Sequence, residues 1–217
     1  MRKYLVACNN DTRRAMTLYR HNLTLSQQMF TMISCFEVAL RNKIDKEMKQ
    51  HWGNDWLRDF VMPGGAFASD GRAAGTKKII KKAYDDLMNN NDYSHSKLLS
   101  QMEFGVWKYM FSPIQFRLTG SRLLHIFPNK ARSTPQIQYN HSYVYNELDK
   151  INTLRNRIAH HEPVCFALQQ PVIDTAYILN EYQKIQTLFM WMGIDSRALL
   201  YGLDHIQQVC MRINELK

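Results

Sequence analysis

"LSQQMFTMISCFEVALRNKIDKEMKQHWG", residues 25–53, decides the fold class. Its apolar residues Leu25, Met29, Met32 with Ile33, Phe36, Leu40, Ile44 and Met48 recur in steps of three or four. That period lines apolar side chains along one face of an α-helix. Trp52-Gly53 closes the stretch, glycine being the residue that most readily turns the chain past a helix end. A helix with one long apolar stripe has to be covered by other elements, and the rest of the chain reads as helices.

Upstream, Asp11 is the expected N-cap of a separate helix reaching about residue 21. Downstream, residues 53–76, "GNDWLRDFVMPGGAFASDGRAAGT", carry Pro63 and several glycines and read as a long loop with room for one short helical turn. Further helices are expected at about 76–90, from Ser94 to about Phe111 where Ser112-Pro113 stops it, and at 114–127. After the polar loop "PNKARSTPQIQYN" come helices at about 141–161, from Pro171 as first residue to Met192, and at about 196–214. No segment alternates as a strand would, and no internal repeat or low-complexity tract is present. The expected architecture is one all-α domain over residues 1–217, an antiparallel helical bundle with additional helices and the long loop.

Composition sets outer bounds. A chain of 217 residues with 45% hydrophobic side chains can bury a substantial core, and nine Gly with six Pro argue against a turn-rich β-sandwich. No apolar run reaches the roughly 18 residues of a membrane span, and the start, "MRKYLVACNNDTRR", lacks a signal peptide's core and cleavage site. A cytoplasmic protein with no membrane partner is expected. Cys8, Cys35, Cys165 and Cys210 form no CxxC pair, so they read as reduced cysteines rather than as a zinc site or disulfide framework. The net charge of +9 is uneven. Residues 72–82 hold Arg72, Lys77, Lys78, Lys81 and Lys82 with no acid; residues 104–146 hold Lys108, Arg117, Arg122, Lys130 and Arg132, again with none. A local excess of this kind is expected of a surface that meets an anion such as RNA, though solubility alone also explains it. In the second segment the cations alternate with Phe104, Trp107, Tyr109, Phe111, Phe116, Phe127, Tyr139, Tyr143 and Tyr145. Most of these rings are core by their spacing, and two or three exposed ones could stack on bases.

The chemistry-bearing stretch is "LRNRIAHHEP", residues 154–163. On a helix Asn156 and His160 stand one above the other, and Arg155 lies about 7.5 Å from His160 along the axis, within reach of a shared phosphate. Pro163 cannot continue the helix, so His160 and His161 fall in its last turn, where free carbonyls favour an imidazolium. A histidine is suited to proton transfer near neutrality, and an arginine beside it can hold a phosphoryl oxygen. His161 and Glu162 read as support for the helix end or for a dimer contact. The three consecutive residues His160, His161 and Glu162 diverge by about 100° each and cannot all ligate one metal; no metal or other cofactor is expected. Cys165 as a nucleophile paired with His160 is a weaker rival to a buried cysteine. On the long helix Glu37, Arg41 and Asp45 form an i, i+4, i+8 column. It is either ordinary intrahelical pairing or a set in which Glu37 orients Arg155 or a histidine.

Three blocks carry a family resemblance. "SQQMFTMISCFEVALRNKIDKEM", "LLSQMEFGVWKYMF" and "LRNRIAHHEPV" resemble, in that order, the blocks of the bacterial Abi-like (abortive infection) family of the HEPN superfamily, over about residues 15–165. The last block is similar to the superfamily's R-x4–6-H signature. The resemblance implies a metal-independent endoribonuclease of phage defence or a toxin-like growth arrester. Arg155 and His160 match the signature positions, Asn156 the polar residue that follows the arginine, and Glu37 and Arg41 polar positions of the long helix. It also implies a homodimer with a composite site and an antitoxin or phage trigger as a further partner. A non-catalytic RNA- or nucleotide-binding domain and a phage-sensing interaction module are the alternatives.

Overall fold

The apolar stripe of residues 25–48 is helical throughout and buried along its length, from Leu25 to Met48. The computed structural model describes residues 1–217. In it, α1 (Arg2–Ala7) is followed by α2 (Thr12–Trp52), one unbroken helix of 41 residues. Asp11 is its N-cap: the Asp11 carboxylate accepts from the Arg14 N–H at 3.0 Å. The expected gap near residues 22–24 does not exist. Asn22, a weak helix former, is buried there, and its side-chain oxygen accepts the backbone N–H groups of Val164 and Cys165 at 2.8 and 3.2 Å. A distant partner overrides local propensity.

The helices that follow are α3 (Trp56–Asp59), α4 (Ala74–Asn89), α5 (His95–Ser100), α6 (Phe104–Tyr109), α7 (Pro113–Leu118), α8 (His141–Ala159), α9 (Ala176–Trp191), α10 (Ser196–Leu199) and α11 (Ile206–Asn214). Two 3-10 turns, Gly71–Ala73 and Leu123–Ile126, lie among them. The only β feature is a single antiparallel bridge between Phe166 and Ile173. The protein is all-α. No helix is long and apolar enough to cross a membrane.

Three expected helices are divided, each for a local reason. The one from Ser94, which is an N-cap accepting from the Lys97 N–H, stops at Ser100, because Glu103 is extended. The one over 114–127 breaks at Gly120 and Ser121, both with positive φ. The last breaks after α10, at Gly202 with φ +73°. The helix expected from Pro171 begins instead at Ala176, because residues 166–173 form the bridged hairpin.

The chain folds as two compact units, Met1–Phe36 with Lys150–Lys217, and Glu37–Asp149. α2 and α8 each contribute to both. In the first, Leu18, Leu25, Met29, Ile33, Ile151, Leu154, Ile178 and Ile185 are fully buried, Phe36 meets Phe189 edge to face at 5.3 Å, and Tyr4 packs against Tyr19 and Phe166. In the second, Leu40, Ile44, Trp56, Leu57, Ile80, Trp107, Phe111 and Leu148 are buried, and Phe60 makes edge-to-face contacts with Trp52, Trp56 and Phe67. The expected long loop of 53–76 is thus a packed segment containing α3 and the first 3-10 turn.

Candidate functional site

Leu154 and Ile158 anchor the end of α8 in the core of the first unit. The residues between them reach outward. Asn156 and His160 are exposed and Arg155 is half-buried, with the guanidinium 3.5 Å from the Asn156 side-chain oxygen. The backbone N–H of His160 donates to the Asn156 carbonyl at 2.9 Å, the last α-type bond of the helix. His160 and His161 then leave it, two residues earlier than the sequence pattern suggests.

The exit is a Schellman turn. His161 N–H donates to Ile158 O at 3.0 Å and Glu162 N–H to Arg157 O at 2.9 Å. His161 occupies the left-handed position, φ +57°, that glycine usually fills. Pro163 follows, and the next two N–H groups are taken by Asn22. The turn is therefore pinned from both sides, and His160 is presented at the helix's carbonyl end.

Arg157, which sequence reasoning passed over, supplies much of that pinning. Its Nε donates to the Glu162 carboxylate at 3.3 Å, its Nη2 to Pro163 O at 3.0 Å, and its guanidinium lies 5.5 Å from the centre of the Tyr177 ring. Burial, opposed by Arg157, pushes the Tyr177 hydroxyl up. Of the two arginines in the motif, Arg157 is held by Glu162, Pro163 and Tyr177, whereas Arg155 lies beside Asn156. Glu162 belongs with Arg157. Spacing alone carried no signal for this, since both arginines flank the same apolar stripe.

Cys165 is fully buried and burial pushes its thiol up to about 12, so it is no thiolate nucleophile. Glu37 and Arg41 are half-buried on the part of α2 that belongs to the second unit. Asp45, third in their column, faces elsewhere: its carboxylate accepts from Trp56 Nε1 at 2.9 Å, pairs with Lys49 at 2.7 Å and meets His95 Nε2 at 2.7 Å. No group of three or more His, Cys, Asp or Glu side chains is disposed to hold a metal ion.

The cations expected on an RNA-facing surface divide. Lys77, Lys78, Lys81 and Lys82 line one shallow groove of about 400 Å³ along α4 with Asp85 and Asp86; Lys81 is paired with Asp85 at 2.6 Å. Lys108 corrects the sequence reading. It is buried, with its ammonium 2.7 Å from Asp149 and over the rings of Tyr109 and Tyr145. Arg117 and Arg122 remain partly exposed but lie 3.3 and 3.4 Å from Asp70 and Glu47. Among the aromatics, Phe104, Trp107, Phe111, Phe116 and Phe127 are core, whereas Tyr109 is exposed and Tyr139, Tyr143 and Tyr145 are half-exposed.

No curated protein and no solved structure matches the chain. Over residues 3–165, from α1 through the turn that ends α8, it matches the model of the Abi-like proteins, whose association is with abortive infection, a phage-defence response; the chain belongs to that family.

Proposed function

We propose that the exposed end of α8 is the active site of a metal-independent endoribonuclease of the HEPN type, acting in phage defence or as a toxin-like growth arrester. One observation carries the reading: Asn156 and His160 are exposed at the end of α8, the half-buried Arg155 has its guanidinium beside Asn156, and the neighbouring Arg157 is engaged in holding the turn. The chemistry is transesterification. The ribose 2′-oxygen forms a bond to the adjacent phosphorus and the bond from phosphorus to the 5′-oxygen breaks. The 2′-OH proton leaves to a base, and a proton is returned to the 5′-oxygen, giving a 2′,3′-cyclic phosphate and a free 5′-OH. His160 serves one of these transfers. In a homodimer that joins two α8 ends, the partner copy's histidine serves the other. Arg155 stabilises charge on the phosphorane, and Asn156 positions the phosphate or the imidazole. Such an activity has to be restrained until infection, which is the place for an antitoxin or a phage-derived trigger.

The test is cleavage of total RNA and matched DNA, with chelator present, by the wild type and by His160→Ala and Arg155→Ala. RNA is expected to be cut and DNA spared, with each substitution lowering the rate by about 100-fold or more. Intact RNA after incubation with folded wild type sinks the nuclease. The lysine groove on α4 favours a second reading, RNA binding without cleavage; there Arg155→Ala weakens binding and has no cleavage to remove.

A further inference from the structure

We propose a built binding site for a backbone phosphate of single-stranded RNA between the end of α2 and the 3-10 turn Leu123–Ile126. It lies in the second unit, apart in sequence from the α8 motif. Lys43, Lys46 and Gln50 project from one face of α2 into a depression of about 160 Å³ that His125 closes from the other side, over Ile126 and Pro128. At about 30 Å³ per water that is room for roughly five waters, enough for a phosphate and part of its sugar.

The electrostatics of this depression are incomplete without an anion. Glu47 is the single acid in it, and its side chain is only 13% exposed. The same carboxylate oxygen lies 3.5 Å from His51 Nε2, 3.3 Å from His125 Nδ1 and 3.4 Å from Arg122 Nε. These are long contacts, so one carboxylate oxygen is shared among three nitrogen groups. Lys43 and Lys46 enter none of the fold's ion pairs. Two lysine ammonium groups therefore share the depression with one carboxylate, Arg122 lying beside Glu47 but outside the lining. Self-repulsion of this kind is relieved when a bound anion completes the set. Glu47 gathers His125 and Arg122, and its negative charge is the one feature of the lining that opposes an anion. The lysines add point charge, and Gln50 adds a neutral donor.

Phosphate is favoured over a peptide carboxylate by the small, shallow apolar floor. Ile126 is itself buried and Pro128 is flat, which suits a sugar and offers no socket for a peptide side chain. The site rests on RNA being the ligand in the reading above, but not on RNA being cut.

The experiment measures binding of a fluorescent single-stranded RNA of about 12 nucleotides to the full chain. It uses His160→Ala as the parent, and adds Lys43→Ala with Lys46→Ala, or Glu47→Gln. The double lysine change is expected to weaken binding about tenfold and to lower the slope of log affinity against log salt by about 1.4, two contacts at about 0.7 each. Glu47→Gln removes the only negative charge and is expected to tighten binding about threefold, a gain that a merely structural carboxylate does not produce. Unchanged affinity and slope in both variants overturns the site. So does loss of a polyglutamate peptide, but not of RNA, on the lysine changes. RNA cleavage by the otherwise wild-type chain is read in parallel. Cutting with no effect of the lysine changes on binding overturns this site alone, whereas a binding effect without cutting overturns the nuclease alone. Absence of both binding and cutting overturns both.

Discussion

At His161 a side chain with a Cβ sits at φ +57°, at a position where glycine carries no steric cost. Left-handed backbone at a residue with a Cβ costs about 1 kcal/mol. His161→Gly is therefore expected to raise stability by about that amount, read as a higher urea midpoint, and to leave RNA cleavage unchanged because His161 closes the turn. Loss of cleavage in that variant would move His161 into the chemistry. The helix stop itself was legible, since Pro163 announces it. The left-handed residue was not, because histidine is not the residue that signals such a position. Arg155 and Arg157 also look equivalent on paper, and only the contacts of Arg157 with Glu162, Pro163 and Tyr177 separate them.

At the scale of elements, Asp45 joins α2, α3 and α5. Trp56 from α3 and His95 from α5 both reach its carboxylate, and Lys49 from the next turn of α2 completes the set. Burial pushes the Asp45 carboxyl up, but the hydrogen bonds from His95, Lys49 and Trp56 outweigh it and hold the group at about 2. An unfolded aspartate titrates near 3.9. The folded value lies below the unfolded one, so this contribution is fully present above about pH 4 and is lost as the pH falls from about 4 to 2. Asp45→Asn is expected to lower stability at pH 7 by on the order of 2 kcal/mol and to flatten the acid limb of urea midpoints measured between about pH 2 and 7. Sequence spacing made Asp45 the third member of a column with Glu37 and Arg41. Two of its three partners, Trp56 and His95, lie 11 and 50 residues away, beyond what a helical repeat can express.

For the whole molecule, the main lesson concerns charge. The acid-free run of 104–146 looks like an uncompensated cationic surface, yet the fold brings carboxylates to it from outside: Asp149 to Lys108, Asp70 to Arg117 and Glu47 to Arg122. Segment 72–82 is compensated only in part, by Asp70 at Arg72 and Asp85 at Lys81. Lys108→Met is accordingly expected to cost about 1–2 kcal/mol of stability with RNA affinity unchanged. Replacing Lys77, Lys78 and Lys82 by Ala is expected to leave stability within about 0.5 kcal/mol and to lower the salt slope of RNA binding by about 2. Urea unfolding and fluorescence anisotropy on the same preparations separate the two. Equal loss of RNA affinity in both variants would return Lys108 to the binding surface.

By itself the sequence determined that this protein is helical, where its principal helices lie, and that residues 154–163 close one of them with polar groups outward. Those properties follow from periodicity, caps and proline, which act over a few residues. Tertiary structure alone decided that α2 runs unbroken through Asn22, which arginine of the motif is anchored, and which cations remain for a ligand. Each of these depends on a partner brought close by the fold. Asn22 reaches Val164 across 142 positions, and Lys108 reaches Asp149 across 41. A buried polar group takes whatever partner the packed chain brings to it, and one-dimensional spacing does not contain that choice.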